Sequence, residues 1–233
     1  MRYIDLIHQT FHFPTEVFKV EDDGLYFNDI PLMPIIEQYG TPLRITYLPK
    51  IGKQIQRCRK WFQKAMKKQD YKANYTYFYC TKSSHFKFIL EEVLDNEVDI
   101  ETSSAYDLFI IKKLIAEGKI NKKTQIICNG FKKDLYTNLI TEFVNEGYNC
   151  MPILDNMNEL EAYSNIKEKF KLGIRVAADE KPNFSFYTSR LGVRYTEIVD
   201  FYKEKIHENP RHELKMLHFF INSGIKDTAY YWS

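Results

Sequence analysis

Short β-branched and aromatic runs alternate with longer segments of helical hydrophobic period along most of the chain. In the helical segments the apolar residues recur every three or four positions, as at Phe86, Ile89 and Val93, and this spacing places them on one buried face. Such alternation predicts repeated βα units and a parallel sheet. Six strands are predicted, over residues 75–81, 98–101, 125–128, 150–154, 172–176 and 215–221.

The expected architecture is an incomplete (β/α)8 barrel, with about six of its eight strands. No Gly-rich dinucleotide turn follows the first of these strands, so a finished doubly wound sheet fits the pattern less well. A barrel closes at eight strands, and the chain stops at residues 230–233, where the helix after the sixth strand should begin. We therefore expect the chain to be truncated at its C-terminal end.

Residues 1–40 do not show the alternation of strand-like runs and helical segments that predicts the barrel. Two strand-like pieces, 17–20 and 25–27, flank an acidic turn. We predict that residues 1–40 form the N-terminal segment of a β-domain completed by missing C-terminal sequence, and that residues 41–233 form the incomplete barrel. A helix predicted from residue 53 to about residue 68 leads into the first barrel strand.

Composition and charge are those of an ordinary globular protein. Hydrophobic residues make up 44% of the 233, and 33 Lys plus Arg face 31 Asp plus Glu. This balance offers no field of one sign, so neither nucleic acid nor a membrane is expected as a partner. Basic stretches such as residues 64–68 are interpreted as a solvated helix face. No N-terminal signal and no apolar run near about 18 residues is present, so we expect a cytoplasmic location.

No metal site is expected, because neither cysteines nor histidines have ligand spacing. The cysteines are interpreted as reduced residues, mostly in or beside apolar strands. They are Cys58, Cys80, Cys128 and Cys150.

Lys82 directly follows the first predicted barrel strand, where its chemistry has two interpretations. Reactive groups of (β/α)8 barrels come from the carboxyl ends of the strands. A lysine amine there, partly desolvated by the aromatic residues before it, is suited to form a Schiff base with an aldehyde cofactor. A lysine that merely caps the end of a strand explains the same position.

Other polar residues stand at equivalent strand ends and favour the chemical interpretation. They are Glu101, Asn129, Asp155, Arg175 and the run 218–223. Arg175 lies inside an apolar strand, and a buried guanidinium needs a partner or a ligand. A structural ion pair between Arg175 and Glu101 satisfies that need as well as a ligand does.

Six short runs match one known family when they are taken together in their order and spacing: residues 39–43, 79–82, 99–104, 127–132, 189–192 and 217–224. These runs resemble the pyridoxal-phosphate-dependent decarboxylases of the alanine-racemase fold, the family of ornithine, diaminopimelate and arginine decarboxylases. Within this family the resemblance is greatest to the biosynthetic arginine decarboxylases.

The resemblance implies a role for six residues of this sequence. Lys82 would be the lysine that forms the Schiff base with pyridoxal 5'-phosphate, Glu101 an acidic residue beside the cofactor, and Arg175 a residue of the same cavity. Further cofactor contacts are implied at Phe220, Ser223 and Gly224.

One of these positions departs from the family pattern. Phe220 stands where the family has a histidine that stacks on the cofactor ring, and a phenyl ring stacks but cannot form hydrogen bonds. His218 is expected to point to the other side of the pleat. The departure leaves room for a non-catalytic relative that regulates by pairing with an active subunit.

The activity implied by the resemblance is decarboxylation of a basic amino acid, with L-arginine converted to agmatine in polyamine (spermidine) biosynthesis. Diaminopimelate and carboxynorspermidine are alternative substrates, and a single-barrel pyridoxal-phosphate carrier is an alternative of another class. The family also implies a homodimer or higher homo-oligomer with shared active sites, while Mg²⁺ rests on family analogy only. The truncated chain alone is expected to be inactive.

Overall fold

The computed structural model describes residues 16–21, 24–177 and 191–219. The chain divides into two compact units between Tyr47 and Leu48. The predicted domain limits, 1–40 and 41–233, stay a prediction. In the part of the chain that is described, no helix has both the length and the apolar character needed to cross a bilayer.

The first unit contains a three-stranded antiparallel sheet followed by a helix. Its strands pair in chain order, and the rings of Phe18 and Phe27 lie 4.9 Å apart across the first pair. Asn28 and Asp29 both have positive φ, which suits the two-residue turn between the second and third strands. The elements are β1 (Phe18–Glu21), β2 (Gly24–Phe27), β3 (Ile30–Pro31) and α1 (Leu32–Tyr39).

The second unit is built on a sheet of six parallel strands that pair in the order of the chain. That order is the order of a barrel wall, in which each strand lies beside the next. The predicted α/β fold with six parallel strands is confirmed. The strands are β4 (Phe78–Cys80), β5 (Asp99–Thr102), β6 (Ile126–Cys128), β7 (Cys150–Leu154), β8 (Phe170–Arg175) and β9 (His212–His218).

Helices precede this sheet and connect most of its strands. The first helix, α2, begins at Pro49, four residues before the predicted start, because proline fits the first turn of a helix. The α-helices are α2 (Pro49–Lys68), α3 (Lys87–Leu94), α4 (Ala105–Ala116), α5 (Asp134–Asn145) and α6 (Tyr195–Phe201). A 3₁₀ segment (Met157–Tyr163) follows β7, and a π-helical segment (Tyr202–His207) follows α6.

Two hydrophobic clusters lie on opposite faces of the sheet. The larger one joins strand residues such as Ile126 to helix residues such as Leu108 and Ile140. Cys128 and Cys150 are buried within it, and all four cysteines are free. The other cluster, which we call the inner cluster, contains Ile127, Met151 and Ile153 with Phe78 and Met216 packed against them. Successive strand residues point to opposite faces, so the inner cluster lies on the face away from the helices.

Gly173 of β8 leaves space for the inner cluster. A Cβ atom added there would lie 2.5 Å from Cδ1 of Ile153 and 3.2 Å from Cβ of Met216. We expect Gly173→Ala to lower the free energy of unfolding by about 1–3 kcal/mol, the usual cost of overpacking. Urea denaturation measures this change.

A second substitution tests the cause of that loss. Ile153→Val removes the Cδ1 atom that the new methyl group would meet, so the double variant should lose less stability than the sum of the two single variants. Additive losses would show that contact with Ile153 is not the reason for a glycine at this position.

Candidate active site

Five polar side chains follow the inner cluster at the carboxyl edge of the sheet. Four of them stand two positions after an inner residue or Gly173: Asn129 after Ile127, Asp155 after Ile153, Arg175 after Gly173 and His218 after Met216. Residues two apart on a strand share a face, so these side chains continue the inner face. We call the set the polar ring; its members are Glu101, Asn129, Asp155, Arg175 and His218.

Asn129 links two other members of the polar ring. Its Nδ2 donates to Oε1 of Glu101 at 3.0 Å and lies 3.2 Å from Nε2 of His218. Nε2 of His218 is 3.9 Å from Oε1 of Glu101. An amide nitrogen has two hydrogens and no acceptor, so His218 accepts through Nε2 and holds its proton on Nδ1.

His218 lies in the run 218–223 noted at the end of the sixth predicted strand, but no cofactor contact was predicted for it, and its expected orientation is wrong. The structure places it on the inner face beside Asn129, not on the other side of the pleat. Position 218 lies two residues after Met216, which packs against the inner cluster, and the alternation of a strand therefore puts both side chains on one face. The alternation of side chains along β9 is therefore the sequence signal that predicts the placement of His218.

Burial lowers the pKa of His218 from its ordinary value, with the charge of Glu101 opposing and that of Arg175 adding to the shift. The unfolded chain therefore takes up this proton at higher pH than the folded protein does. Stability is lost as the pH falls below about 6.5, and the loss between pH 6.5 and 5.5 is at most about 1.4 kcal/mol.

We expect His218→Gln to reduce the loss of stability on acidification, since glutamine keeps an acceptor but does not take up a proton. Urea denaturation at pH 7.5 and pH 5.5 measures the difference. His85, which is exposed, provides the matched control, and His85→Gln should retain the wild-type pH dependence. If His218→Gln keeps the wild-type dependence of stability on pH, the assignment of the acid-induced loss to His218 is contradicted.

Arg175 finds its partner in Asp155. Its Nη1 lies 3.6 Å from Oδ1 of Asp155, and the two side chains are 15% and 1% exposed. The ion pair with Glu101 considered from the sequence is therefore wrong. Arg175 and His218 occupy paired positions of β8 and β9, so the guanidinium and the imidazole enter the polar ring side by side.

A buried ion pair supports the polar ring next to Asp155. Nζ of Lys132, fully buried, lies 3.1 Å from Oε2 of Glu159 and donates to the carbonyls of Gly130 and Ile153. The backbone N–H of Asp155 donates to the same Oε2 at 3.0 Å. Desolvation raises the pKa of Glu159, and the charge of Lys132 opposes that shift. These contacts hold the ends of β6 and β7 together.

No role was predicted for Lys132 or Glu159. Lys132 lies in a run that resembles the family, and Glu159 is separated from it by 27 residues. A contact of that kind depends on the pairing of β6 with β7, which no local pattern specifies. Glu159 has one local signal, because Asn156 caps its helical turn through a hydrogen bond to the N–H of Glu159.

Thr81 follows the last residue of β4, and Lys82 comes next, at the carboxyl edge of the sheet. The side chain of Lys82 is exposed. The expected desolvation of its amine by the preceding aromatic residues is not observed. Thr81 holds this strand end to β5, because its N–H and its hydroxyl both donate to the carbonyl of Glu101. Cys80, half-buried, pairs in register with Glu101, and desolvation raises the pKa of its thiol.

Three predicted site residues cannot be placed. Phe220, Ser223 and Gly224 lie outside the described residues. Lys82, Glu101 and Arg175 are all at the carboxyl edge, and their assignment to cofactor binding stays a prediction. Among the described residues there is no cluster of three or more His, Cys, Asp or Glu side chains able to hold a metal ion.

Four buried atoms of the polar ring have no hydrogen-bond partner within the part of the chain described. They are Oδ1 of Asn129, Nδ1 of His218 and both carboxylate oxygens of Asp155. Buried polar groups are nearly always hydrogen-bonded, and the exceptions need an explanation. Three acceptors and one donor at the carboxyl edge of a barrel sheet fit a bound polar ligand.

Comparison with known sequences supports the motif-based resemblance. No protein-family model matches the chain. It is 26% identical over 205 residues to a biosynthetic arginine decarboxylase of Prochlorococcus marinus (strain MIT 9215), covering 82% of this chain and 31% of that protein. Arginine decarboxylase 1B, chloroplastic, of Nicotiana tabacum is 23% identical, with 81% and 27% covered.

Solved structures share the fold. The biosynthetic arginine decarboxylase of Campylobacter jejuni superimposes with a TM-score of 0.61 at 23% identity, covering 81% of this chain and 32% of that one. A diaminopimelate decarboxylase of M. jannaschii in complex with L-lysine gives 0.73 at 15% identity, with 93% and 50% covered. The chain spans about a third of the length of the curated relatives it matches. The resemblance and the partial barrel predicted from the sequence are confirmed.

Proposed function

We propose that this chain, a relative in sequence and fold of the pyridoxal-phosphate-dependent decarboxylases of the alanine-racemase fold, contributes the cofactor site of an enzyme that decarboxylates a basic amino acid. The observation that supports this most is the polar ring at the edge where Lys82 stands, in which four buried atoms have no hydrogen-bond partner among the described residues. Relatives named arginine decarboxylase match over most of the chain. We therefore propose L-arginine as the substrate and agmatine as the product.

The residues at the carboxyl edge fit pyridoxal phosphate by their chemistry. Lys82 supplies a primary amine, the group that reacts with an aldehyde, and its exposure leaves that amine accessible. Glu101 and Arg175 would line the site on the polar ring. When bound, the cofactor supplies an electron sink for the electron pair that remains after the carboxylate leaves. Phe220, Ser223 and Gly224 remain proposed contacts on the strength of the resemblance alone.

The charges of the polar ring suit an amino acid that carries both signs. Arg175 offers a guanidinium for a carboxylate or phosphate, while the carboxyl groups of Glu101 and Asp155 favour a cationic group. Nδ1–H of His218 is a further donor on the same face. These side chains bind and orient the substrate, and orientation of the breaking bond is the protein's main contribution to such chemistry.

A panel of amino acids tests the proposal. The protein expressed from its complete gene is incubated with pyridoxal phosphate and L-arginine, L-lysine, L-ornithine or meso-diaminopimelate, and the amine product is identified by mass. Agmatine formed fastest is the result expected. If lysine formed from diaminopimelate is the fastest product, the substrate is diaminopimelate and the type of reaction is the one proposed. If no amino acid is decarboxylated, the proposal is overturned.

A homodimer or larger homo-oligomer is proposed as well, because the resemblance implies active sites shared between subunits. Sedimentation of the same protein with cofactor measures its mass. A monomer with full activity would contradict the shared site.

A further inference from the structure

Helix α2 concentrates positive charge to a degree that the whole chain does not suggest. Its 20 residues, PKIGKQIQRCRKWFQKAMKK, include eight Lys or Arg and no Asp or Glu. The chain as a whole has 33 basic and 31 acidic residues. The sequence expectation that nucleic acid is not a partner rested on that overall balance, which conceals a strongly basic helix.

Seven of the eight basic side chains lie on one side of α2. At 3.6 residues per turn they fall within about a third of the circumference of the helix, and all seven are exposed. No ion pair joins any of them to another described residue. We call this surface the basic face; it consists of Lys50, Lys53, Arg57, Lys60, Lys64, Lys67 and Lys68.

The opposite side of α2 faces the barrel. Ile55 is only 2% exposed, and Ile51 packs against the larger hydrophobic cluster. Arg59, the eighth basic residue, donates to the carbonyl of Glu97 at 2.7 Å on this side. The helix is therefore anchored through its apolar side, and the basic face is held outward along a length of about 30 Å.

Trp61 lies at the edge of the basic face and is 59% exposed. The guanidinium carbon of Arg57 is 4.4 Å from the centre of its ring. A large exposed aromatic ring beside a line of cations is the combination that binds single-stranded nucleic acids, since the cations follow the phosphates and the ring stacks on a base.

We propose that the basic face with Trp61 binds single-stranded nucleic acid. A continuous line of cations about 30 Å long complements a continuous phosphate backbone, and this length suits the site sizes of about 4–16 nucleotides known for such proteins. A bilayer fits less well. Interfacial helices bury an apolar face in the lipid, and the apolar side of α2, at Ile51 and Ile55, is already packed against the protein.

The test measures the fluorescence anisotropy of a fluorescein-labelled 20-nucleotide oligothymidylate titrated with the protein at several salt concentrations. The face variant carries Lys53→Glu, Arg57→Glu and Lys60→Glu. The control variant carries Lys123→Glu, Lys167→Glu and Lys203→Glu, at three exposed lysines that do not belong to α2. Both variants change the net charge equally.

We expect the face variant to bind at least about tenfold more weakly, and its plot of log K against log salt to lose about 2 from its slope, at about 0.7 per phosphate contact. The control variant should bind nearly as the wild type does. Trp61→Ala should also weaken binding relative to the wild type. The effect should be larger at high salt, because salt screens the electrostatic contribution and stacking on the ring remains.

Several outcomes would overturn the proposal. If the face variant and the control variant lose the same affinity for the oligonucleotide, the nucleic acid adsorbs through the overall charge of the protein. If the wild type does not bind the oligonucleotide at 50 mM salt, the proposed site is excluded. Binding to phosphatidylserine vesicles with none to the oligonucleotide would assign the basic face to a membrane. If the face variant fails to fold, Arg57→Gln with Lys60→Gln and quenching of Trp61 fluorescence by the unlabelled oligonucleotide give the same decision.

Discussion

Lys132→Met is expected to lower the free energy of unfolding by about 3–5 kcal/mol. The methionine fills a similar volume but leaves the carboxylate of Glu159 buried without its counter-charge. It also leaves the carbonyls of Gly130 and Ile153 without the lysine donor. Removal of one member of a buried ion pair costs far more than the pair contributes, because the remaining charge stays desolvated.

Urea denaturation with a matched control measures this loss. Lys133 is the next residue and is exposed, so Lys133→Met makes the same chemical change without the buried contacts and should cost less than about 0.5 kcal/mol. The double variant Lys132→Met with Glu159→Gln should recover part of the loss, since no uncompensated charge remains. A loss below about 1 kcal/mol for Lys132→Met would show that the pair does not support the polar ring.

Lys82→Ala is expected to reduce decarboxylation by the protein expressed from its complete gene by at least about a hundredfold, the lower end of the contribution of one positioned acid–base group. The substitution removes the amine proposed to attach the cofactor. Because Lys82 is exposed, the far-UV circular dichroism and the melting temperature should stay unchanged. The loss would therefore be chemical.

The control for this variant is another exposed lysine. Lys123→Ala removes an amine that precedes β6, at the amino edge of the sheet and therefore opposite the polar ring, and should keep wild-type activity. Steady-state kinetics with L-arginine compare the two variants. A Lys82→Ala protein with activity within about twofold of the wild type would exclude Lys82 as the cofactor lysine.

β6 and β7 were predictable because parallel strands buried on both faces leave a strong local pattern. β7 occupies residues 150–154 as predicted, β5 is displaced by one residue at both ends, and β6 begins one residue later than predicted. β4 is shorter than predicted, and β9 begins three residues earlier. Propensity and hydrophobicity locate a strand, but hydrogen-bond pairing with its neighbour sets where it ends.

The candidate site was predictable to the extent that it depends on the ends of strands. Glu101 and Arg175 were found because a polar residue at the end of an apolar strand is visible in the sequence. The ion-pair partner of Arg175 was not predicted, because Asp155 and Glu101 both stand at strand ends and only the folded geometry distinguishes them. The pair of Lys132 with Glu159 depends in the same way on the pairing of β6 with β7.

The most direct test of the cofactor site is intact mass after the chain is mixed with pyridoxal phosphate and reduced with borohydride. We predict one added pyridoxyl phosphate group per chain, located at Lys82 by peptide mapping and absent from Lys82→Ala. Adducts spread over many exposed lysines, or a single adduct that persists in Lys82→Ala, would contradict a cofactor site at this edge of the barrel.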